Sequence, residues 1–255
     1  MTVDRWAQAV RQQLRIGRLL PLGGPGDGAW IVESAAREVL GRAVAGVRGV
    51  RLGSVRLSPA DPDGEYESVV PAPPSALPPG PLRIVAECTA TADEPLPSAT
   101  ARLRAALSRA ADEGLGLVVA EVDLHVTALL DADAGTEPAP EKESEPGSTE
   151  KPASLSGDEE RVAQAARAVP GVAWLTGTLG GLGRAIHIEE RAEAAALPRR
   201  HVRVELAVSD GTRALDVTRA VRNSVTAALS DAPTVAVLII EIAPRTAGGA
   251  TLSAG

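Results

Sequence analysis

Residues 131–160, DADAGTEPAPEKESEPGSTEKPASLSGDEE, constrain this chain more than any other stretch. They hold ten acids (Asp131, Asp133, Glu137, Glu141, Glu143, Glu145, Glu150, Asp158, Glu159, Glu160) against Lys142 and Lys151, a net charge of −8, with few apolar side chains. Such a segment cannot bury enough surface to offset the entropy of ordering it, so 131–157 reads as a disordered, self-repelling linker. It splits the 255-residue chain into two halves, 28–130 and 158–244. A leading segment, 1–27, and a flexible tail, 245–255, flank them. Outside 131–160 the chain carries 24 basic and 23 acidic side chains, so the halves are nearly neutral and lack the charge of a non-specific nucleic-acid binder.

The halves repeat each other. Each opens on a helical pattern, IVESAAREVLGRAVAGV (31–47) and DEERVAQAARAV (158–169), with apolar residues at helical spacing. Both helices leave through a glycine followed by valine, Gly49-Val50 and Gly171-Val172, as suits a left-handed helix exit. A short candidate strand follows in each, 50–58 and 184–190. Then comes an alternating strand, RIVAECTA or VRVELAV; the latter sets Val202, Val204, Leu206 and Val208 against Arg203, Glu205 and Ala207. A second helix and a closing strand, LVVAEVDLHVTAL or TVAVLIIEIA, complete each half. A constant offset of 118 aligns 84–111 with 202–229. The expected fold class is α+β: two small two-layer αββαβ modules in tandem, each a three-stranded sheet with two helices on one face. Residues 58–81 carry eight prolines and read as a mobile, polyproline-biased insert in the first module.

Chemistry has one conspicuous candidate, WLTGTLGGLGRAI (174–186), which spells the T-G-x-x-x-G-x-G of a dinucleotide phosphate loop. Its context argues otherwise. Only 72 residues follow Gly183, and RAIHIEE alternates like a strand where a helix is required. A Tyr-Lys catalytic pair is absent too: Tyr66 is the single tyrosine, and no lysine follows Lys151. The expectation is a glycine-rich connection between strands. G-T-L-G within it echoes the clamp loop of KH-type RNA-binding domains, but it joins strands and carries no basic residue.

His125, His187 and His201, the only histidines, show no metal-ligand spacing and are expected on solvent-facing strand positions. Cys88 has no base partner and is expected in the core. Neither a metal nor a cofactor is expected, and no catalytic residue is assigned. The candidate contact surface is an amphipathic helix near the N-terminus, where Trp6 lies on an apolar stripe bordered by Arg11, Arg15 and Arg18. No apolar run approaches the ~20 residues of a membrane-spanning helix.

The first half resembles the alkaline shock, or cell-envelope stress response, family of Gram-positive bacteria. GAWIVESAAREVL (28–40), VRGV (47–50) and GLVVAEVDLHVTAL (116–129) carry the resemblance. PGV (170–172), Asp210-Gly211 and VLIIEI (237–242) echo it in the second half. The chain departs from the family in its tandem modules, in its proline-rich insert and in lacking a Tyr-Gly step before the second helix of the first half. The resemblance implies a non-enzymatic, cytoplasmic binding or scaffold protein that self-associates or meets the membrane through an anchored protein partner. The readings set against it are an NAD(P)-dependent oxidoreductase using residues 176–183, and a KH-like nucleic-acid-binding module.

Overall fold

The computed structural model describes residues 17–130, 157–179, 184–191 and 199–244. The linker, the tail and most of the N-terminal helix, with Trp6, Arg11 and Arg15, lie outside these residues.

The fold is α+β. The chain enters through a hairpin, β1 (Leu19–Leu22) and β2 (Ala29–Val32), whose eight residues are all buried. Continuous apolar runs of this kind suit strands covered on both faces. Gly23 (φ +70°) and Gly28 (φ +56°) shape the turn, and Asp27 accepts the Gly24 N–H at 2.8 Å. Helix α1 (Glu33–Val44) follows directly, so Ile31 and Val32 belong to a strand rather than to the helix expected from residue 31. Glu33 in its first turn and Arg42 in its last complement the helix dipole.

Next come β3 (Val50–Pro59), β4 (Leu82–Thr91), α2 (Leu96–Arg109) and β5 (Val119–Leu130). Pro95 caps α2, where its missing N–H costs no helical bond. A single π-helical turn, Ala110–Leu115, prolongs α2 and ends at Gly116 (φ +84°). A Cβ on Gly116 would lie 2.4 Å from the Leu215 side chain, so glycine is required by both backbone and space. The second half gives α3 (Gly157–Arg167), β6 (Val172–Leu175), β7 (Ile186–Arg191), β8 (Arg199–Ser209), α4 (Ala214–Ala228) and β9 (Thr234–Ala243).

Pairing follows the same plan in each half. β3 runs antiparallel to β4, which runs parallel to β5. β6 and β7 run antiparallel to consecutive parts of β8, which runs parallel to β9. The first half therefore has the expected three-stranded sheet. The second has a six-stranded one, because β2 adds in parallel to the outer edge of β9 and β1 follows it. β1 lies in the leading segment read as helix and turn, and β2 at the start of the first module, where the helix was expected from residue 31. One buried cluster runs through both sheets and all four helices, from Leu20, Ile31 and Leu40 to Leu107, Val204, Val221 and Ile239.

The proline-rich insert is not a free excursion. Leu77 donates its N–H to the Leu19 carbonyl at 2.8 Å, Val69 donates to Pro25 at 3.1 Å, and Val70 is buried. Lacking N–H donors at its prolines, the insert cannot extend the sheet far, but Ala76 bridges the outer edge of β1.

Candidate functional site

The register of the hairpins locates the glycine-rich stretch. In the first half Leu52 opposes Cys88 and Val55 opposes Ala86, so Gly53 and Ser54 together face Glu87 in a β-bulge. In the second half Leu175 opposes Leu206 and Ile186 opposes Val204, so Glu205 lies between the pairing partners of β6 and those of β7. The offset of 118 makes Glu87 and Glu205 the same position. The dehydrogenase-like motif, of which residues 180–183 lie outside the described residues, thus connects two strands, and Ile186–Arg191 is strand where a dinucleotide fold needs helix.

Glu205 organises that loop. Its carbonyl accepts the Thr176 N–H at 3.1 Å, and its own N–H donates to the Ala185 carbonyl at 2.8 Å, which pins both ends. Its carboxylate accepts the Leu179 N–H at 2.8 Å. Thr176 and Thr178 share a hydroxyl hydrogen bond of 2.8 Å. Arg203 Nε and His187 Nε2 lie 3.8 and 3.9 Å from Glu205 Oε1, and no part of the Glu205 side chain is exposed. In the first half, by contrast, the Ser54 hydroxyl donates to Glu87 at 2.9 Å on an exposed surface. A buried carboxylate needs charge-assisted hydrogen bonds and countercharge; the Leu179 amide supplies the first and Arg203 of β8 the second. Chemically this is a clamp: a phosphate loop must turn its amides toward an incoming anion, whereas the Leu179 amide already meets the protein's own anion.

Burial, and then the Arg203 charge, hold the His187 imidazole below its ordinary pKa, against the Arg184 carbonyl hydrogen bond that favours protonation. The expectation of solvent-facing histidines fails at His201, which is buried and hydrogen-bonded through Nδ1 to Thr234 Oγ1 at 2.9 Å. It sits beside β9 on a strand covered from both sides, where alternation no longer reports exposure. His125 is exposed on β5. Cys88 is buried, as expected, and burial raises its thiol pKa.

A second cluster joins the halves. Arg213 donates through Nε to the Asp112 carbonyl and through Nη2 to its carboxylate, at 2.9 and 3.0 Å, across the π-helical turn. Arg219 grips Asp27 with two bonds of 2.7 and 3.0 Å. Burial works to raise the Asp27 carboxyl, but the Arg219 and Gly24 hydrogen bonds and the Arg219 and Arg222 charges bring it below its ordinary pKa. Clefts of about 570 and 280 Å³ flank Arg213. In the larger cleft Asp112, Arg213 and Arg219 are held in these pairs.

Of the sequence-predicted contact residues only Arg18 is described. It pairs with Glu33 at 3.4 Å and donates to the Leu57 carbonyl at 2.5 Å, tying the hairpin to α1 and β3. Sequence reading missed Glu205, although the offset from Glu87 already marked it. It also missed the exposed Trp174 on β6. Among the described residues no three His, Cys, Asp or Glu side chains are placed to hold a metal ion, and no helix is long and apolar enough to cross a membrane. Comparison with protein-family models, curated proteins and solved structures found no match.

Proposed function

We propose that this chain is a non-enzymatic binding or scaffold protein, acting through protein–protein contacts in the manner that its resemblance to the envelope stress response family implies. The observation that carries this reading is the open edge of β5. It is a twelve-residue strand at the margin of its sheet with Val126 and Leu129 exposed at 36% and 57%. A long edge with apolar side chains is a template for another chain. The clamp at Glu205 favours this reading over a dinucleotide enzyme, because the Leu179 amide within the most enzyme-like stretch already meets the protein's own carboxylate. Work near the membrane through an anchored protein partner is part of the same proposal.

The test is a ligand screen by thermal unfolding of the full chain. NADP and NADPH are expected to leave Tm unchanged. A saturable rise in Tm that Gly181→Ala abolishes would establish the oxidoreductase instead. A salt-dependent affinity for RNA would establish the nucleic-acid module.

A further inference from the structure

We propose that β5 is a self-recognition edge, on which a second copy of this chain docks antiparallel with Leu124 at the two-fold axis. This deepens the binding reading and rests on it.

The side-chain pattern of the edge is symmetric about Leu124. Buried β4 residues mark the helix side of the sheet: Leu82 pairs with Val119, Ile84 with Val122, Ala86 with Leu124, Cys88 with Val126 and Ala90 with Leu129. The register shifts at Ala120 and at Thr127, so those five β5 residues share the helix side despite their uneven spacing. Reversing the strand about Leu124 lays Val119 on Leu129, Val122 on Val126 and Leu124 on itself. Each is a match of apolar with apolar. On the opposite side it lays Asp123 on His125 and Glu121 on Thr127, so no like charges meet. Two Asp123–His125 pairs flank the axis, while Arg83 of the same copy holds Glu121 at 2.5 Å and Asp123 at 3.6 Å.

Three further observations favour a second copy as the occupant. The matching edge in the second half already carries a strand, since β2 lies along β9. The fold therefore accommodates a strand at this place, and of these two matching edges the one at β5 carries no strand among the described residues. The other edge of the same sheet, β3, is defended by Arg51, Arg56 and Pro59, whereas β5 holds no Pro, Lys or Arg. Finally, the acidic stretch begins immediately after β5. Antiparallel docking places the two Leu130 residues about 40 Å apart at ~3.4 Å per residue, which separates the two acidic segments; parallel docking would set them side by side.

Sedimentation equilibrium of the full chain tests this. Wild type is expected at twice the 26.1 kDa chain mass at high concentration, dissociating on dilution. Val126→Lys and Asp123→Arg are each expected to weaken the dimer about tenfold or more, by placing a cation on the apolar row or opposite His125. Asp123→Arg combined with His125→Asp restores complementarity across the axis and is expected to recover most of the lost affinity. Both positions are exposed, so this pair remains informative if Val126→Lys fails to fold. A wild-type chain that stays monomeric at every concentration overturns the proposal. So does a dimer indifferent to Val126→Lys, or a double variant no tighter than Asp123→Arg alone. A monomer leaves the wider binding reading standing, since that falls only to nucleotide or RNA binding.

Discussion

Glutamine substituted at Glu205 and, separately, at Glu87 makes an internally controlled experiment, because the 118-residue offset places the two carboxylates at equivalent positions of β8 and β4. At Glu205 the change keeps shape and one acceptor oxygen but removes the charge. The bond from the Leu179 N–H falls from a charge-assisted to a neutral one, a loss of about 1–1.5 kcal/mol. Arg203 also loses its countercharge at 3.8 Å. Its side chain keeps some solvent contact, and glutamine is cheaper to bury than a carboxylate, so this adds about 1 kcal/mol rather than the full cost of a broken buried pair. Glu205→Gln is therefore expected to cost about 2–3 kcal/mol. Glu87→Gln changes only an exposed bond from Ser54, so its effect stays within about 0.5 kcal/mol. Urea unfolding followed by circular dichroism and tryptophan fluorescence measures both, with Trp174 reporting beside the loop. Equal costs at the two positions, or a Glu205→Gln variant as stable as wild type, would refute the clamp.

Other expected outcomes follow from the same contacts. Gly116→Ala must adopt φ +84° and push into Leu215, so it is expected to lose about 2–4 kcal/mol in urea unfolding; a loss under about 1 kcal/mol would mean the π-helical turn is not rigidly placed. Asp27→Asn removes the two-bonded pair with Arg219, whose side chain is 48% exposed, and should cost about 1–2 kcal/mol after solvent screening. Because the folded state lowers the Asp27 pKa from 3.8, its contribution is complete at neutral pH and fades as pH falls through that lowered value; the variant should show a flatter acid limb in Tm against pH. His187 has the same sign for a different reason: its folded pKa lies below 6.5, so the unfolded chain binds the extra proton and stability drops as pH falls from about 7 toward the lowered value. His187→Gln should reduce that drop, and an unchanged profile would place its cause elsewhere.

Much of the architecture was legible because each half writes its hydrophobic period plainly: Val202, Val204, Leu206 and Val208 are all buried, as are Ile84, Ala86 and Cys88. The 118-residue offset carried the topology as well, and the closing strands fall where alternation put them. The β1–β2 hairpin was not legible. LLPL and AWIV are short apolar runs buried on both faces, so they have no alternation to show, and the strand that AWIV joins, β9, lies some 200 residues away. The insert misled because proline content reports what a segment cannot donate, not what it packs against. For the site, local letters pointed to an anion-binding loop while context pointed to a connection between strands, and strands β6 and β7 do flank it. Glu205 went unremarked since an acid at an alternating strand position reads as solvated. Only the loop folded over it, which no local pattern encodes, makes it buried.

Hydrogen exchange of the Leu179 amide is the most direct measurement of whether the glycine-rich loop is closed on Glu205. The expected result is strong protection in the wild-type chain, lost in Glu205→Gln while the β8 amides stay protected. A Leu179 amide that exchanges freely in wild type would mean that the loop amides stand open to an external anion, and would contradict the structural reading of TGTLGGLG.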